Sequence, residues 1–525
     1  MKQIRRALVS VWDKTDLIPF VQGLRGLGVQ IISTGGTAKL LKEQGIPVQE
    51  MAEFTGFPEI LAGRVKTLHP KVHGGILARR EDRRHLAQAR RLGLQLIDLV
   101  VVNLYPFEAT ARQRGVSLDQ LIEQIDIGGV ALMRSAAKNF RSVGVVTRPS
   151  QYSDVLEECE RNRGRLRPGT RLKLAIEAFA ETAYYDNVIH QALAHRVSTK
   201  KGQRTKWSER LVLGATRRQV LRYGENPHQA GAWFEWGTAR SRPLGLGGAR
   251  QLHGKELSFN NLLDLDAALE VVAAFNRPTA VVIKHTNPCG VACNRSLPLA
   301  FRAAFASDPL SAFGGIVGLN RPVDKATAQA ILNVSFLECL VAPGFHSEAL
   351  ELLRTRKNLR ILDAPMPKGR ALRRCIEIKQ IDGGLLVQKP DQIQIDPSRW
   401  KVATKAKPSA AQKRDLVFAW TVAKFVRSNA IVIAKGEKTV GIGAGQMSRV
   451  DSVKVALSKA GTRARGAVLA SDGFFPKPDG PQIAIRAGIR AIVQPGGSIQ
   501  DPAVIAVAEK KKVPMLLTGE RHFRH

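Results

Sequence analysis

The segment Lys284-His285-Thr286-Asn287-Pro288-Cys289-Gly290 contains the residue types in this chain that are best suited to chemistry. It follows the apolar run 280–283, which predicts a buried strand, and strand ends of α/β proteins commonly carry functional sites. A histidine titrates near neutral pH and accepts a proton, and a neighbouring lysine stabilises negative charge in a transition state. The alternative interpretation is a strand end that carries two solvated side chains.

A second candidate site is the turn Ser33-Thr34-Gly35-Gly36-Thr37, between a predicted strand and a predicted helix. Its glycines let the backbone approach a phosphate, and N–H groups at a helix start point at the anion. Ser10 and Lys14, after the neighbouring predicted strand, add a hydroxyl group and a positive charge. The turn therefore predicts an anion site, although an ordinary helix N-cap would explain the same residues.

Two further segments bring charged side chains together. Arg64, Lys66 and Thr67 lie within four positions, and alternation along an extended strand would place Arg64 and Lys66 on one side. This arrangement suits a phosphorylated ligand, and the alternative is a solvated basic loop.

Asp126 precedes a Gly-Gly turn and Lys138 follows some three helical turns later, so the pair could bracket a polar substrate. An N-cap aspartate on a helix with an exposed lysine is the alternative.

The composition limits the possible functions. The chain has 525 residues with 80 Lys and Arg against 45 Asp and Glu, a formal charge of +35. Such a charge favours anionic partners, but the basic residues are spread out and no nucleic-acid-binding motif is present, so we expect no specific nucleic-acid recognition. No apolar run reaches 18 residues, which argues against a membrane span. Five cysteines, an odd number, suit the cytoplasm better than a disulfide framework.

The pattern of apolar runs indicates which elements position these residues. In the first ~200 residues, short apolar strands alternate with helical segments, which predicts an α/β fold with a doubly wound, mostly parallel sheet. The polar, basic stretch 198–206 is the predicted linker between a domain at 1–197 and a second region at 207–525. Two apolar strands are predicted there, 280–283 and 430–434, and each is followed by a predicted Gly-rich turn. We predict two similar α/β lobes divided near 389–408.

Eight motifs carry a resemblance to a known family: R-V-K-T-L-H-P, N-L-Y-P-F, I-D-I-G-G-V, L-R-Y-G-E-N-P-H-Q, G-K-E-L-S-F-N-N-L-L-D, K-H-T-N-P-C-G, S-D-P-L-S-A-F-G-G and R-H-F-R-H. In this order, over essentially the whole chain, they resemble the bifunctional purine-biosynthesis family of AICAR (phosphoribosylaminoimidazolecarboxamide) formyltransferase and IMP cyclohydrolase. The resemblance implies formyl transfer from 10-formyltetrahydrofolate to AICAR, followed by dehydrative ring closure of formyl-AICAR to IMP.

The resemblance also implies a fold, an assembly and a compartment. It implies a methylglyoxal-synthase-like cyclohydrolase domain at 1–197 and a transformylase at 207–525 built from two cytidine-deaminase-like lobes. It implies no catalytic metal, reduced folate as cosubstrate, a homodimer in the cytoplasm, and a transformylase site shared between subunits.

The resemblance further implies roles for individual residues. In ring closure the expected catalytic residues are Lys66, Tyr105, Asp126 and Lys138. The nucleotide would be held there by Ser10, Trp12, Lys14, Thr34, Gly35, Gly36, Thr37, Arg64 and Thr67. In formyl transfer His285 would accept the amine proton, Lys284 would stabilise the tetrahedral intermediate, and Asn429 would orient the formyl group. The AICAR pocket would be lined by Arg222, Tyr223, His228, Asn261, Phe313, Gly314, Glu338, Arg449 and Arg521. The folate would contact Asn429, Arg449, Phe474, Pro476, Asp479 and Ser498.

Two departures from the family pattern bear on these expectations. Trp12 stands where many members have a small polar residue, which would narrow the nucleotide mouth. The loop Phe474-Phe475-Pro476-Lys477-Pro478-Asp479 lacks the aromatic and arginine residues that the family usually has at its fourth and fifth positions. This loop leaves open an alternative function, in which the chain is a cyclohydrolase only and has a weakened folate site. Lys477 could instead meet the glutamate tail of the folate.

Overall fold

A computed structural model describes residues 3–113, 115–198, 207, 209–236, 244–334, 336–366, 376–392 and 395–525. The chain divides into two compact units, Met1–Thr216 with Phe234–Ser241 and Arg217–Trp233 with Arg242–His525. Of the predicted linker 198–206, only Ser198 lies within the described residues. Across the described ranges, we find no helix with the length and apolar character needed to cross a membrane.

The first unit is built on a five-stranded parallel sheet of order β3-β2-β1-β4-β5. Its strands are β1 (Arg6–Ser10), β2 (Gln30–Ser33), β3 (Gln49–Glu50), β4 (Leu99–Val102) and β5 (Gly144–Val146). Every residue of β4 is buried, as expected for a parallel strand with both faces covered by helices. The predicted doubly wound parallel sheet is therefore confirmed.

The helices of the first unit follow these strands in alternation. They are α1 (Leu17–Gly26), α2 (Gly35–Glu43), α3 (Met51–Thr55), α4 (Pro70–Leu77), α5 (Arg83–Arg91), α6 (Phe107–Ala111), α7 (Leu118–Ile122), α8 (Gly128–Lys138), α9 (Tyr152–Arg161) and α10 (Pro168–Ser198). Because α2 and α8 begin beyond the carboxyl ends of β2 and β4, their N-termini lie at the edge of the sheet where α/β proteins bind ligands.

The second unit contains two six-stranded mixed sheets, each belonging to one lobe. A two-stranded sheet of β6 (Ala215–Leu221) and β7 (Gly231–Trp236) precedes them. The first lobe consists of β8 (Arg250–His253), α11 (Phe259–Ala273), β9 (Thr279–Lys284), β10 (Asn287–Cys293), α12 (Leu297–Phe305), β11 (Gly315–Leu319), α13 (Lys325–Leu332), β12 (Leu337–Ala342), α14 (Ser347–Arg354) and β13 (Arg360–Asp363).

The second lobe repeats this order of elements. After the antiparallel pair β14 (Glu377–Ile381) and β15 (Gly384–Gln388) come β16 (Lys401–Val402), α15 (Ala410–Ala423), β17 (Ile431–Ala434), β18 (Thr439–Gly443), α16 (Arg449–Ala460), β19 (Val468–Ser471), α17 (Asp479–Arg486), β20 (Ala491–Gln494), α18 (Asp501–Lys510) and β21 (Met515–Leu517). The sheet orders β10-β9-β11-β12-β13-β8 and β18-β17-β19-β20-β21-β16 correspond strand for strand. The lobes are an internal duplication, as the prediction of two similar lobes requires.

The segments that follow β9 and β17 correct the sequence prediction of Gly-rich turns, because both are strands. β10 pairs antiparallel with β9, and β18 pairs antiparallel with β17. The glycines serve helix packing: a Cβ at Gly290 would lie 2.0 Å from the Ala304 carbonyl oxygen, and one at Gly441 would lie 2.1 Å from that of Ala456. Glycine is therefore needed for close approach of a helix to the strand, and not for chain reversal.

Candidate active sites

The candidate site of the first unit lies at the carboxyl ends of β1, β2 and β4. The hydroxyl groups of Ser10 and Thr34 are 3.1 Å apart. The Thr37 hydroxyl donates to the Val11 carbonyl at 2.9 Å, and so ties the start of α2 to the end of β1. The Asn103 side-chain oxygen accepts hydrogen bonds from the N–H groups of Trp12 at 2.7 Å and Asp13 at 2.9 Å, which follow β1 in the chain. Three loops from separate strands are thereby held in one constellation.

The start of α2 has the features of an anion site. Thr34 is the N-cap residue, but its side chain makes no capping bond to the helix. Gly35 has a positive φ of 45° and brings the backbone close to Lys66, whose Nζ would lie 3.4 Å from a Cβ at that position. A cleft of about 370 Å³ opens here, lined by Ser33, Thr34, Gly35, Ala38, Lys39, Lys42, Glu43, Glu50, Met51, Ala52, Phe57, Glu59 and Lys66. Helix N–H groups beside an ammonium group suit a phosphate.

The segment that contains Arg64, Lys66 and Thr67 is not the extended strand that alternation suggested. Gly63 has φ of 90° and Arg64 has helical angles, while Ile60 and Val65 form an isolated antiparallel bridge, so the chain turns back on itself. Arg64 consequently pairs with Glu123, and Lys66 pairs with Glu59 at 2.9 Å. Thr67 is 5% exposed, and its hydroxyl would lie 2.8 Å from a Cβ at Gly128.

Asp126 lies beside this turn at the start of α8. Its carboxylate accepts the Gly129 N–H at 2.7 Å and also the Tyr105 N–H. Burial raises the pKa of the Asp126 carboxyl above its ordinary value of 3.8, and these N–H groups together with the Lys66 charge oppose that shift. The Tyr105 side chain is 40% exposed, so it is accessible to a ligand. A buried carboxylate with a raised pKa is suited to exchanging a proton.

Lys138, Trp12 and Lys14 are placed differently from this group. Lys138 is the exposed last residue of α8, so ten residues of helix, about 15 Å, separate it from the Gly128 end near Asp126. The structure therefore does not bring Lys138 together with Lys66, Tyr105 and Asp126. Trp12 is 53% exposed at the rim, and the Lys14 ammonium group donates to the Trp12 carbonyl at 3.2 Å.

The candidate site of the second unit is centred on the end of β9. Lys284 is the last residue of the strand, and its ammonium group donates to the carbonyl oxygens of Phe313 at 3.1 Å and Gly314 at 3.3 Å. His285 and Thr286 follow with φ of 51° and 60°, in the left-handed region that non-glycine residues rarely occupy. Among the described residues, the His285 imidazole has no hydrogen-bond partner, and the residue is exposed. Its nitrogens are accessible to a substrate.

The second lobe closes this site from the other side. The Arg427 N–H donates to the Asn287 side chain at 3.0 Å, and its guanidinium group donates to the Thr286 hydroxyl at 3.2 Å. Two residues later, the Asn429 amide donates to the Gln446 carbonyl at 2.9 Å and to the Met447 carbonyl at 3.1 Å. The residues predicted for formyl transfer thus come from both lobes.

Arg449 and Asp472 hold Asn429 from behind. Arg449, 7% exposed, donates to the Asn429 side-chain oxygen at 2.7 Å and forms an ion pair with Asp472, which is fully buried. The Asp472 carboxylate also accepts the Ala430 N–H at 3.0 Å and the Ser428 hydroxyl. A buried ion pair requires these additional hydrogen bonds to offset the desolvation of both charges, and here they fix the backbone on either side of Asn429.

The remaining predicted AICAR residues before the second lobe form three groups. Asn261, 3% exposed at the start of α11, donates to Glu338 at 3.1 Å. Arg222 stacks on the Tyr223 ring at 4.8 Å from its centroid and donates to its hydroxyl at 3.0 Å. The neighbouring His228 is exposed. Phe313 is 59% exposed and packs against Phe336.

The predicted folate residues lie in the second lobe, beyond β19 and β20. Phe474 is 37% exposed and Pro476 is exposed, whereas Phe475 between them is buried. Asp479 begins α17, and Ser498 caps the turn before α18 by accepting the Gln500 N–H at 3.1 Å. The Arg521 guanidinium group stacks on the ring of Phe523. That ring packs so close to Gly473 that a Cβ added to Gly473 would lie 2.6 Å from it. A Cβ at Gly473 would lie 2.5 Å from the Arg449 guanidinium group, so the exposed Phe474 directly follows a residue that borders Arg449. Its ring offers a surface for a flat ligand.

The sequence interpretation did not identify Asp264, Asp472 or Asn103, although all three organise the sites. Asp264 lies on α11 and accepts the Thr286 N–H at 2.6 Å. Burial raises the pKa of its carboxyl, against the opposing effects of the Thr286 and His285 N–H groups and of the Lys284 charge. A repeat of residue types 151 positions apart, for example Asp264 and Asp415, could have drawn attention to Asp264.

Comparison with known proteins identifies the family of this chain. Residues 136–459, more than half of the chain, match the AICARFT/IMPCHase bienzyme family, and residues 16–131 match the MGS-like domain. The bifunctional purine biosynthesis protein PurH of Magnetococcus marinus is 48% identical and that of Cyanothece sp. is 51% identical, with 99–100% of each chain covered. A crystal structure of ForH, at 36% identity, covers 36% of this chain and 99% of its own, with a TM-score of 0.33. The chain therefore belongs to the AICARFT/IMPCHase bienzyme family.

Proposed function

We propose that this chain is a bifunctional enzyme of purine biosynthesis, which formylates AICAR at the His285 site and closes formyl-AICAR to IMP at the Lys66 site. The observation that carries the proposal is the pair of hydrogen bonds from Arg427, two positions before Asn429, to the turn that follows Lys284 and His285. The chain that contains these contacts belongs to the bienzyme family over its length. The prediction of a bifunctional enzyme is confirmed by this membership, which favours it over the cyclohydrolase-only alternative.

In formyl transfer, the AICAR 5-amino group attacks the formyl carbon of a 10-formyl folate. The nitrogen forms the new N–C bond, the His285 imidazole takes the proton that this nitrogen loses, and the bond between the formyl carbon and N10 of the folate breaks as N10 gains a proton. The amine is a weak nucleophile because its lone pair is delocalised into the imidazole ring, so positioning contributes strongly. The exposed and unpartnered imidazole at the end of β9 fits this role.

Lys284 and Asn429 would stabilise the oxygen of the tetrahedral intermediate. A lysine ammonium group has three N–H donors, and the two bonds to the Phe313 and Gly314 carbonyls leave one for the substrate. The Asn429 amide has both donors engaged, so it would exchange the longer bond, to Met447, for the formyl oxygen. Preformed donors at a developing negative charge lower the barrier without reorganisation at the moment of reaction.

In ring closure, the carboxamide nitrogen attacks the formyl carbon and water is lost. Gly35, Gly36 and Thr37 at the start of α2 would hold the phosphate, with Lys66 beside them. Asp126, whose pKa is raised by burial, would take the carboxamide proton, and the Tyr105 hydroxyl and Lys66 would support the oxyanion. We retain Lys138 as a predicted catalytic residue, although α8 holds it about 15 Å along the helix from this group.

The remaining partners are inferred from chemistry and family. A formyltransferase needs a one-carbon donor, for which the exposed Phe474, the residue after the Gly473 that borders Arg449, supplies an aromatic surface. We propose 10-formyltetrahydrofolate as this donor, a homodimer as the assembly, and the cytoplasm as the compartment. The four described cysteines, at 159, 289, 293 and 339, are free and buried, which suits a reducing environment. Residues 1–197 and 207–525 would carry the two activities.

Two single substitutions test the division of labour. His285→Ala should lower the rate of IMP formation from AICAR by about 10²–10⁴-fold, the usual contribution of a general base, and leave closure of supplied formyl-AICAR unchanged. Lys66→Ala should impair closure and leave formyl transfer intact. Both rates are measured by absorbance, and circular dichroism checks that each variant is folded like the wild type. Equal loss of both activities in each variant would refute the two-site proposal, and absence of IMP in the wild type would refute the function.

A further inference from the structure

The turn after β9 is held by a carboxylate to which the proposed mechanism assigns no chemical step. His285 and Thr286 have φ of 51° and 60°, a conformation that costs a non-glycine residue roughly 1–2 kcal/mol. Asp264 accepts the N–H of Thr286 at 2.6 Å and that of His285. Successive N–H groups in such a conformation form a concave anion site, and the carboxylate fills it. The carboxylate therefore offsets the strain of the turn.

The second lobe contains the same arrangement 151 positions later. After Lys435, Gly436 and Glu437 have φ of 64° and 53°. Their N–H groups donate to the two oxygens of Asp415, at 2.9 and 2.8 Å. Asp415 lies on α15, the first helix of its lobe, just as Asp264 lies on α11. The same acid thus holds the same turn in both copies.

The turn in the second lobe has the backbone contacts of the turn after β9 but not its histidine. Gly436 has no side chain at the position of His285, and its neighbour Glu437 forms an ion pair with Arg277. Asp415 fixes only the backbone there, because that turn has no histidine and its one carboxylate is engaged by Arg277. We propose that Asp264 is a positioning residue for formyl transfer, which holds the left-handed turn so that His285 and Lys284 face the substrate together. This inference rests on the assignment of formyl transfer to the His285 site.

The test compares Asp264 with its matched counterpart in the second lobe. Displacement of a catalytic group by about 1 Å costs about 10²-fold in rate, so Asp264→Ala should lower kcat for formyl transfer by about that factor with little change in KM for AICAR. Asp264→Asn retains an oxygen acceptor, and should keep more of the rate. Asp415→Ala should lower the urea midpoint as Asp264→Ala does, yet keep kcat near that of the wild type. Cyclisation of formyl-AICAR should be unchanged in every variant.

Several outcomes would overturn the inference. An unchanged kcat in Asp264→Ala would contradict it, and so would an equal loss of kcat in Asp415→Ala. If Asp264→Asn were as slow as Asp264→Ala, the acid itself would be a proton carrier and not a positioning residue. Crystal structures of the Asp264 variants supply a readout independent of activity: residues 285–286 should leave the left-handed region, and an unmoved turn would contradict the role. If Asp264→Ala does not fold, Asp264→Asn decides. A wild type without formyl transfer refutes the proposed function, and the crystal structures still test the turn.

Discussion

The turns at 284–287 and 435–438 share a backbone but differ in side chains. The first reads Lys-His-Thr-Asn and the second Lys-Gly-Glu-Lys, yet both place two successive residues in the left-handed region. In the second lobe glycine adopts this conformation at little cost, whereas in the first lobe a histidine does so against a steric penalty. The fold supplies the turn in both lobes, and the chemistry arises from the side chains placed on one of them.

The lysine before each turn sharpens this comparison, because it anchors a loop in both lobes. Lys284 donates to the Phe313 and Gly314 carbonyls, and Lys435 donates to the Arg465 carbonyl at 3.0 Å. If Lys284 also stabilises the transition state, Lys284→Met should lower kcat for formyl transfer by about 10²–10³-fold, the cost of one oxyanion donor. Lys435→Met should cost only stability. Steady-state kinetics beside urea unfolding separate these effects, and equal kinetic losses would contradict the comparison.

A second substitution pair tests whether the two lobes pack alike. Gly290→Ala and Gly441→Ala each place a Cβ about 2 Å from a helix carbonyl, and such overpacking costs about 1–3 kcal/mol. Both should lower the urea midpoint to a similar extent. Only Gly290→Ala should also slow formyl transfer, because β10 carries Asn287 beside the catalytic turn. Gly384→Ala, where a Cβ meets nothing within 4 Å, is the control. A tolerated Gly441→Ala would show that the lobes differ in packing.

The smallest expected effect concerns an ion pair between the lobes. Asp308 of the first lobe and Lys459 of the second are 2.7 Å apart. Burial acts to raise the pKa of the Asp308 carboxyl, but Lys459 and Ser311 outweigh it and hold that pKa below 3.8. Asp308→Asn should therefore cost about 1 kcal/mol at neutral pH, a value limited by the solvent exposure of Lys459.

The pH dependence of this loss follows from the lowered pKa. A carboxyl group with a lower pKa in the folded state contributes stability above its unfolded value of 3.8, and this contribution disappears as the pH falls through the folded value. The difference between Asp308→Asn and the wild type should shrink below about pH 4 in urea titrations. A difference that stays constant with pH would exclude an electrostatic origin, and Ser311→Ala serves as a control for the neighbouring hydrogen bond.

The elements that the sequence predicted correctly are those with continuous apolar runs. Strands β1, β2, β4, β9 and β17 follow from such runs because parallel or central strands are buried on both faces. β10 and β18 were wrongly interpreted as turns, because their glycines are explained only by helices packed against them. The duplication itself is visible in the sequence: Ser258 and Ser409 begin the same capping box 151 positions apart.

The parts of the sites that could not be predicted depend on partners distant in the sequence. In the sequence, Asp472 cannot be told from any polar loop residue. Its role follows from its contacts with Arg449 and Ala430 in the fold. Asp264 lies on a mostly buried helix, and its role becomes clear only from an N–H group 22 residues later. The approach of Lys66 to Gly35 depends on how the turn after Gly63 folds back. Burial and pairing of this kind are properties of the packed chain and not of a local pattern.

The hydrogen bond between Arg427 and Thr286 limits how early during synthesis the turn after β9 can be secured. It joins residues 141 positions apart, so the turn that carries His285 leaves the ribosome well before the residue that secures it. At about 5–20 residues per second, the first lobe waits roughly 7–30 s for Arg427. During that interval β10, the edge strand of its sheet, also lacks the bridge from Ala292 to Lys438, and an uncovered edge is prone to wrong pairing. The proposed transformylase site is therefore completed late in synthesis, whereas the first unit can be complete before it.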